Sequence, residues 1–318
     1  MSDEVAAEKP TVLVIAGPTA AGKTECALAL AEYLPIEVIS GDSMLAYRGM
    51  DIGTAKPSPE ERERVPHHLI DLIEPDEPFN VADYAPLAMA AVHDIHSRGR
   101  LPCIVGGSGL YIRSVTCCLD LPVASPDQSM RARLEEEARV LGRAHLHERL
   151  RSVDPAAAAR IHENDLKRVV RALEVYEKTG RPMSDVYREA PEPTNELYCL
   201  VYVLSRDREG LYQRIERRCD AMVHRGLIGE VRALLGRGYG PGLQSMQAIG
   251  YKEVAAHILG EYDFAEMMAV FKRNSRRFAK RQLTWFSKEP GACWIDADAV
   301  EPVEALLTDI RRRTPAAV

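Results

Sequence analysis

The sequence GPTAAGKT, residues 17–24, is a complete G-x-x-x-x-G-K-T motif. The apolar and β-branched run Thr11–Ala16 precedes it and predicts a buried strand. A helical pattern follows it, from Glu25 to Leu34. In a strand, loop and helix of this order, the loop N–H groups and the positive end of the helix bind phosphate oxygens. The motif therefore predicts a phosphate or diphosphate site, without identifying the ligand that carries the phosphates.

Two side chains of this loop have chemical roles of their own. Lys23 adds a positive point charge, and the Thr24 hydroxyl can hold Mg²⁺. The other positions are expected to act mainly through their backbone. The predicted diphosphate-binding residues are Gly17, Pro18, Thr19, Ala20, Ala21, Gly22, Lys23 and Thr24.

The composition indicates an ordinary globular protein. With 318 residues, of which 46% are hydrophobic and 28% charged, the length predicts about two domains. No apolar run reaches the roughly 20 residues that span a bilayer, so no membrane association is expected. The seven cysteines are scattered and contain no C-x-x-C pair, which favours a reducing cytoplasm over a disulfide or zinc framework.

Strand-like and helical segments alternate along most of the chain. Further strands are predicted at Glu37–Ser40, Leu101–Val105 and Leu200–Leu204, whereas residues 122–197 have only helical patterns. This alternation predicts an α/β fold of the P-loop NTPase type: a parallel sheet with helices on both faces and a helical insertion domain. The expected core is 11–121 and 198–318, and the insertion is 122–197. Ligands of such sheets bind at the carboxyl ends of the strands, where the loop, Asp42 and Arg206 should meet.

The charge distribution gives a mixed signal about nucleic acid. The net charge of −6 argues weakly against it, but six basic residues lie within ten positions, from Lys272 to Arg281. Such a run is either a solvated helix face or a contact for a polyanion.

Three polar side chains are candidates for catalysis, each with an ordinary alternative. Asp42 can hold a metal ion, accept a proton or simply form a turn. Arg214 and Arg218 lie on one face of a predicted helix and suit a diphosphate. From the sequence alone, a surface ion pair with Glu216 or Asp220 is the favoured interpretation of these arginines.

The chain resembles the bacterial tRNA dimethylallyltransferases, also called tRNA isopentenyltransferases, almost from end to end. Besides the phosphate loop, the resemblance rests on further stretches of sequence. They are Asp42-Ser43, Tyr47–Pro57, Pro66–Asp71, Gly106–Tyr111, Asn164-Asp165 with Arg168 and Arg171–Val175, Ala248–Glu253, Asn274–Arg276 and Ala279–Trp285.

The resemblance implies a reaction without ATP. This family moves the dimethylallyl group from dimethylallyl diphosphate to N6 of adenosine 37, just 3′ of the anticodon of tRNA, and releases pyrophosphate. By similarity the loop holds the diphosphate, with Thr24 on Mg²⁺. Asp42 accepts the N6 proton, and Arg214 and Arg218 bind the diphosphate. No obligate protein partner is implied.

The resemblance also implies which residues contact the anticodon stem-loop of tRNA. An adenine in a loop must be unstacked before its amine can react. The implied contacts are Asp42, Ser43, Met44, Leu45, Ser108, Lys167, Arg168, Arg171, Gln247, Gly250, Tyr251, Arg276, Lys280, Arg281 and Gln282.

Other functions share parts of this pattern. A P-loop small-molecule kinase has the same loop but no need for the basic run. An adenylate isopentenyltransferase uses the same donor but typically lacks the tRNA-binding end. A non-enzymatic RNA-binding module is disfavoured by the intact Lys23, Thr24 and Asp42. The chain departs from the family pattern in small ways, with Ala21 where serine is common and Gly41 where a small apolar residue is usual.

Overall fold

The chain folds into two compact units. The computed structural model describes residues 9–117, 127–188, 196–289 and 291–314. The first unit is Met1–Cys117 with Asn195–Val318, and the second is Cys118–Thr194. Every strand of the described residues belongs to the first unit, and the described part of the second is helical.

A six-stranded sheet with all neighbours parallel forms the centre of the first unit. Its order is β3-β2-β4-β1-β5-β6. The strands are β1 (Thr11–Ala16), β2 (Ile36–Ser40), β3 (His67–His68), β4 (Leu101–Gly106), β5 (Tyr198–Ser205) and β6 (Cys293–Asp296). The predicted α/β class with a parallel sheet is confirmed. The edge strands β3 and β6 were not predicted, because they are too short to leave a period-2 pattern.

Helices account for most of the remaining structure. Before the second unit lie α1 (Lys23–Leu30), α2 (Pro59–Arg64), α3 (Val81–Ser97) and α4 (Gly109–Thr116). The second unit contains α5 (Gln128–Leu141), α6 (Arg143–Val153), α7 (Pro155–Ala158), α8 (Leu166–Thr179) and α9 (Met183–Arg188). After it come α10 (Arg208–His224), α11 (Leu227–Gly236), a 3₁₀ turn (Ser245–Gln247), α12 (Tyr251–Ile258), α13 (Phe264–Phe286) and α14 (Pro302–Arg313).

Helices cover both faces of the sheet, as alternation of strands and helices predicts. On one face α1 and α14 pack over β1 and β5, where Leu13, Ile15 and Tyr202 are fully buried. On the other face α3 and α4 pack over β4. Because both faces are covered, the central strands are continuously apolar rather than alternating.

Close backbone contacts at the carboxyl edge of the sheet require glycine. A Cβ on Gly17 would lie 2.5 Å from the carbonyl oxygen of Leu204 in β5. A Cβ on Gly106 would lie 2.2 Å from the carbonyl oxygen of Gly41. These contacts bring the loops after β1, β2, β4 and β5 together. The carboxyl edge is thus the place where the predicted site residues of the first unit gather.

The run Asp51–Gly53 is held by one carboxylate, that of Glu230 on α11. This carboxylate accepts backbone N–H bonds from Asp51 at 3.0 Å, Ile52 at 2.8 Å and Gly53 at 3.3 Å. It also accepts the hydroxyl proton of Tyr251 at 2.6 Å. A Cβ on Gly53 would come within 2.4 Å of the Tyr251 ring, so this glycine is sterically required. Glu230 therefore anchors the loop that follows the Asp42 segment.

Replacing Glu230 with glutamine should destabilise the protein by about 1–3 kcal/mol. The amide NH₂ would face backbone N–H groups and leave partly buried donors without an acceptor. Urea unfolding followed by circular dichroism measures the change. Arg232→Ala, on the exposed side of the same helix, is the control and should leave the free energy of unfolding unchanged. Equal stability of the Glu230→Gln and wild-type proteins would contradict the anchoring role.

Candidate active site

Three basic side chains, one from the phosphate loop itself and two from later in the chain, donate hydrogen bonds to carbonyl groups of the loop. Lys23 Nζ donates to the Pro18 carbonyl at 2.8 Å, and Arg214 Nε donates to the Ala20 carbonyl at 2.9 Å. Arg206 Nε donates to the Ala21 carbonyl at 3.2 Å. A peptide unit directs its C=O and N–H in opposite directions. Fixing the carbonyls therefore fixes the direction of the loop N–H groups as well.

The N–H groups at the start of α1 are left available for an anion. Gly22 caps the helix with φ 103°, in the left-handed region, and no side chain caps it. The N–H groups of Gly22, Lys23 and Thr24 have no acceptor among the residues that the structure describes. Together with the helix dipole they form a site of positive potential.

Two cations converge on this site. Burial lowers the pKa of the Lys23 ammonium to about 8, and the charge of Arg218 contributes to the shift while Asp42 and Glu25 oppose it. Burial also lowers the pKa of the Arg218 guanidinium below its usual value. In the described part of the chain Arg218 donates no hydrogen bond. Burial of two neighbouring cations is unfavourable even with Asp42 and Glu25 nearby, and a bound anion would offset this cost.

The acids that could have paired with Arg214 and Arg218 have other partners. Glu216 pairs with Arg276, and Asp220 pairs with Lys272 at 2.7 Å. The ion-pair alternative for the two arginines is therefore wrong. Arg214 holds the phosphate loop and Arg218 lies near Lys23, so α10 presents both to the loop, as the i, i+4 spacing predicts.

Asp42 lies in the turn that follows β2, beside the loop after β4. One of its carboxylate oxygens accepts the Met44 N–H at 2.9 Å. The next residue, Ser43, donates its N–H to the Ser108 hydroxyl at 3.3 Å. Asp42 is only partly buried and interacts electrostatically with Lys23. The carboxylate thus lies at the edge of the cationic site, where an incoming group can reach it.

Helix α13 joins the site through its buried face. The Gln282 side chain accepts the Thr19 N–H at 2.9 Å and donates to the Gly107 carbonyl at 3.0 Å. Trp285 packs so closely on Gly109 that a Cβ there would lie 2.1 Å from the indole ring. This arrangement was not predicted, because the contacts join residues far apart in the chain.

The opposite face of α13 is exposed and basic. Arg273, Arg277, Lys280 and Arg281 are exposed, and the structure assigns no carboxylate partner to these four side chains in its described part. Lys272 and Arg276 lie between the two faces. Each forms an ion pair with an acid on α10, Lys272 with Asp220 and Arg276 with Glu216. The basic run is therefore divided, with four charges facing solvent and two fixing the helix.

The remaining residues that the resemblance links to tRNA differ in exposure. Met44, Leu45 and Ser108 are partly exposed near Asp42, and Gln247 is exposed with its amide bonded to the Pro241 carbonyl at 2.6 Å. In the second unit, Lys167 and Arg168 are exposed on the first turn of α8.

Arg171, also in the second unit, forms an ion pair with a buried acid. It donates to Glu174 at 2.6 Å, and Glu174 is fully buried. In the structure Arg171 helps to neutralise the charge of this carboxylate, because burying an unpaired charge costs free energy. Contact with tRNA remains a prediction for it.

Three of the implied contacts lie in the interior. Gly250 is buried, Tyr251 has no exposed surface, and Gln282 is 5% exposed. The tyrosine hydroxyl is bonded to Glu230, and both ends of the glutamine amide are occupied. These residues therefore offer little surface to a macromolecule in this structure, and direct tRNA contact stays a prediction for them.

The residues around the loop fit a metal ion that is held largely by a ligand's phosphates. Thr24 Oγ1 is partly exposed at the end of the loop and has no hydrogen-bond partner among the described residues. No cluster of three or more acids, histidines or cysteines is found in the part of the chain described. Mg²⁺ commonly keeps one or two protein ligands and takes the rest from phosphate oxygens and water.

None of the helices in the described ranges has the length and apolar character that crossing a bilayer requires.

The chain is similar to a family of transferases over most of its length. A family model described as IPP transferase matches residues 45–289, and one described as isopentenyl transferase matches residues 10–74. A tRNA dimethylallyltransferase of Geobacter sulfurreducens is 50% identical over 297 residues, which cover 92% of this chain and 94% of that protein.

Two solved structures have the same fold along almost the whole chain. The tRNA isopentenylpyrophosphate transferase of Bacillus halodurans is 43% identical, with a TM-score of 0.70 and 97% of each chain covered. A eukaryotic dimethylallyltransferase acting on tRNA is 27% identical, with a TM-score of 0.76, and the match covers 95% of this chain and 78% of the other.

The affinity for a diphosphate ester should fall as the pH rises through about 8, the pKa of Lys23. The ammonium is charged below this pKa and neutral above it, whereas the ester stays fully ionised throughout. The dissociation constant should therefore rise by up to about tenfold for each pH unit above the transition. Calorimetric titration from about pH 7 to about pH 9.5 measures it. Lys23→Met should bind weakly with no transition near pH 8, and a flat wild-type profile would contradict the assignment.

Proposed function

The chain belongs to the IPP transferase family, and from this membership we propose that it transfers the dimethylallyl group of dimethylallyl diphosphate to N6 of adenosine 37 in tRNA. Pyrophosphate is the other product. The observation that carries the proposal is the convergence of Lys23 and Arg218 on a loop whose N–H groups at the start of α1 have no acceptor among the described residues. This is a site for a highly charged anion, and an exposed basic helix face accompanies it.

The bound diphosphate is a leaving group in this reaction. The bond between C1 of the dimethylallyl group and the bridging oxygen breaks, and the oxygen keeps the electron pair. Negative charge develops on the pyrophosphate while the allylic carbon becomes cation-like. Lys23, Arg218 and the N–H groups after Gly22 stabilise this charge in the transition state, which lowers the barrier to transfer.

Asp42 is the group best placed to accept the proton. The N6 nitrogen of adenine forms the new bond to C1 and must lose one hydrogen to become a neutral secondary amine. The Asp42 carboxylate lies at the edge of the site formed by Lys23, Arg218 and the loop N–H groups. One of its oxygens accepts a hydrogen bond from the Met44 N–H. The other oxygen accepts no hydrogen bond from the described residues and can take the proton as a general base.

Mg²⁺ fits this proposal as a ligand of the donor. The Thr24 hydroxyl would hold it at the end of the phosphate loop, with phosphate oxygens supplying further ligands. When bound, it would neutralise part of the charge on the diphosphate. The loop residues themselves orient the donor and fix the leaving group.

The acceptor is proposed to be the anticodon stem-loop. Adenosine 37 lies in a loop, so it can be unstacked and brought to Asp42 without opening a helix. The exposed charges of α13 then contact backbone phosphates, which give affinity without sequence information. We further propose that the protein acts in the cytoplasm, where tRNA is available, without an obligate protein partner.

Mass spectrometry of nucleosides tests the proposed activity directly. Incubation of the protein with dimethylallyl diphosphate and tRNA should give N6-(dimethylallyl)adenosine, and pyrophosphate should appear only when tRNA is present. Faster transfer to AMP than to a stem-loop would indicate an adenylate isopentenyltransferase. Conversion of ATP to ADP with a small-molecule acceptor would indicate a kinase.

Asp42→Asn should lower the rate of transfer by at least about a hundredfold, because the isosteric amide cannot accept the proton. The affinity for dimethylallyl diphosphate in the absence of tRNA should remain close to that of the wild type. Single-turnover assays and calorimetry measure the two quantities. Asp76→Asn, at an exposed aspartate away from these contacts, is the matched control. Near-normal turnover by Asp42→Asn would remove Asp42 from the role of base.

Lys280→Glu with Arg281→Glu should weaken tRNA binding and reduce its salt dependence. The slope of log K against log salt is negative, and each lost phosphate contact reduces its magnitude by roughly one. The magnitude should therefore fall by about two in the double variant. Fluorescence anisotropy at several salt concentrations measures this slope. Arg232→Glu with Arg311→Glu makes the same change in net charge at exposed positions on α11 and α14. An equal loss in both double variants would indicate a general charge effect instead of a contact.

A further inference from the structure

Gln282 connects two loops of the proposed donor site. It lies on α13 with 5% of its surface exposed, and its Oε1 accepts the Thr19 N–H at 2.9 Å. Its Nε2 donates to the Gly107 carbonyl at 3.0 Å. The first bond goes to the phosphate loop after β1, and the second goes to the loop after β4. A single amide therefore bridges the two loops just beyond the point where the paired strands β1 and β4 end.

The chemistry of the two bonds is specific to a glutamine. One partner is a donor and the other an acceptor, so the side chain must offer both an acceptor and a donor. Glutamate would lack the donor, and methionine would lack both strong groups. Asparagine would be one methylene too short to bond both loops from the same backbone position.

The loop after β4 is shaped to admit this side chain. A Cβ on Gly107 would lie 2.1 Å from Gln282 Nε2, so any larger residue would displace the amide. The same Cβ would lie 3.3 Å from the Gly17 carbonyl oxygen at the start of the phosphate loop. Gly107 and Gln282 thus fit each other, and both lie against the phosphate loop.

Gln282 is separated from the basic surface by the geometry of α13. The buried stripe of this helix includes Ser275, Ala279, Gln282 and Phe286, whereas Arg277, Lys280 and Arg281 face solvent. Neighbouring positions on a helix point in directions about 100° apart. Adjacent residues 281 and 282 can therefore serve different ligands.

We propose that Gln282 is a positioning residue of the donor site, which holds the Thr19 end of the phosphate loop against Gly107, and that it does not contact tRNA. The proposal rests on the function proposed above, since it takes the diphosphate of the donor as the ligand of the loop. Without the amide, the Thr19 N–H and the Gly107 carbonyl lose their partners. The loop then no longer holds its N–H groups in the arrangement that the diphosphate needs.

Gln282→Met is the principal test, because methionine has nearly the same length and volume. Two dissociation constants are measured for each protein. Calorimetry gives the one for dimethylallyl diphosphate without RNA, and fluorescence anisotropy gives the one for a synthetic anticodon stem-loop. The variant should bind the donor about tenfold more weakly, since one hydrogen bond to the phosphate loop and one to the loop after β4 are lost. Its affinity for the stem-loop should stay within about twofold of the wild type.

Two neighbouring substitutions serve as matched comparisons. Arg281→Gln should give the reverse pattern, with weaker stem-loop binding and unchanged donor binding. Thr284→Ala, on the exposed side of the helix, should change neither affinity.

Gly107→Ala, in the loop after β4, should reproduce the donor defect of Gln282→Met, because its methyl group would displace the amide. Thermal unfolding is recorded for every variant, and if Gln282→Met does not fold, Gln282→Asn replaces it.

The outcomes are distinct. A folded Gln282→Met protein with normal donor affinity would overturn the positioning role, whether or not its RNA affinity changes. A loss confined to the stem-loop would show that Gln282 is an RNA contact. A wild-type protein that binds the donor but does not modify tRNA would refute the proposed function while leaving the positioning role standing. A wild-type protein that does not bind the donor would refute both.

Discussion

The site depends on keeping two cations, Lys23 and Arg218, close together in a partly buried position. Burial disfavours the charged form of both side chains and lowers both pKa values, and repulsion by Arg218 adds to the shift at Lys23. Only Asp42 and Glu25 oppose this repulsion at Lys23. The protein tolerates the arrangement because the surrounding scaffold fixes it, and a bound diphosphate would relieve it. Relief of these unfavourable electrostatics is thus the source of the affinity for the anion.

The scaffold around these charges is formed largely by long-range contacts to backbone atoms. Arg206 and Arg214 bond carbonyls of the phosphate loop, and Gln282 bonds one of its N–H groups. Each of these side chains lies more than 180 positions away from the loop in the chain. The loop therefore has its functional shape only in the folded protein. A peptide of the same sequence would lack these partners and would lose the alignment of its N–H groups.

Helix α13 shows how one element can serve two ligands. Its exposed face has three arginines and one lysine that lack a carboxylate partner among the described residues, and its other face places Gln282 and Trp285 against the loops of the site. Lys272 and Arg276 fix the helix to α10, which also supplies Arg214 and Arg218. The surface proposed for RNA and the site proposed for the donor are consequently parts of one packed structure. A basic run in a sequence is usually interpreted as a single feature, but here the burial of one face of the helix divides it.

The sequence by itself determined the parallel α/β fold, the central strands, the phosphate loop and the grouping of Asp42 with that loop. These features follow from local patterns: apolar runs, glycine spacing and the rule that parallel strands end at one edge. Only the tertiary structure decided that Glu216 and Asp220 pair with α13, leaving Arg214 and Arg218 to the loop. It also decided that Gly250, Tyr251 and Gln282 are buried, although they lie in stretches that resemble RNA-contacting ones. The reason is physical: which side of a helix becomes buried, and which acid reaches which base, depends on packing between segments that the sequence separates.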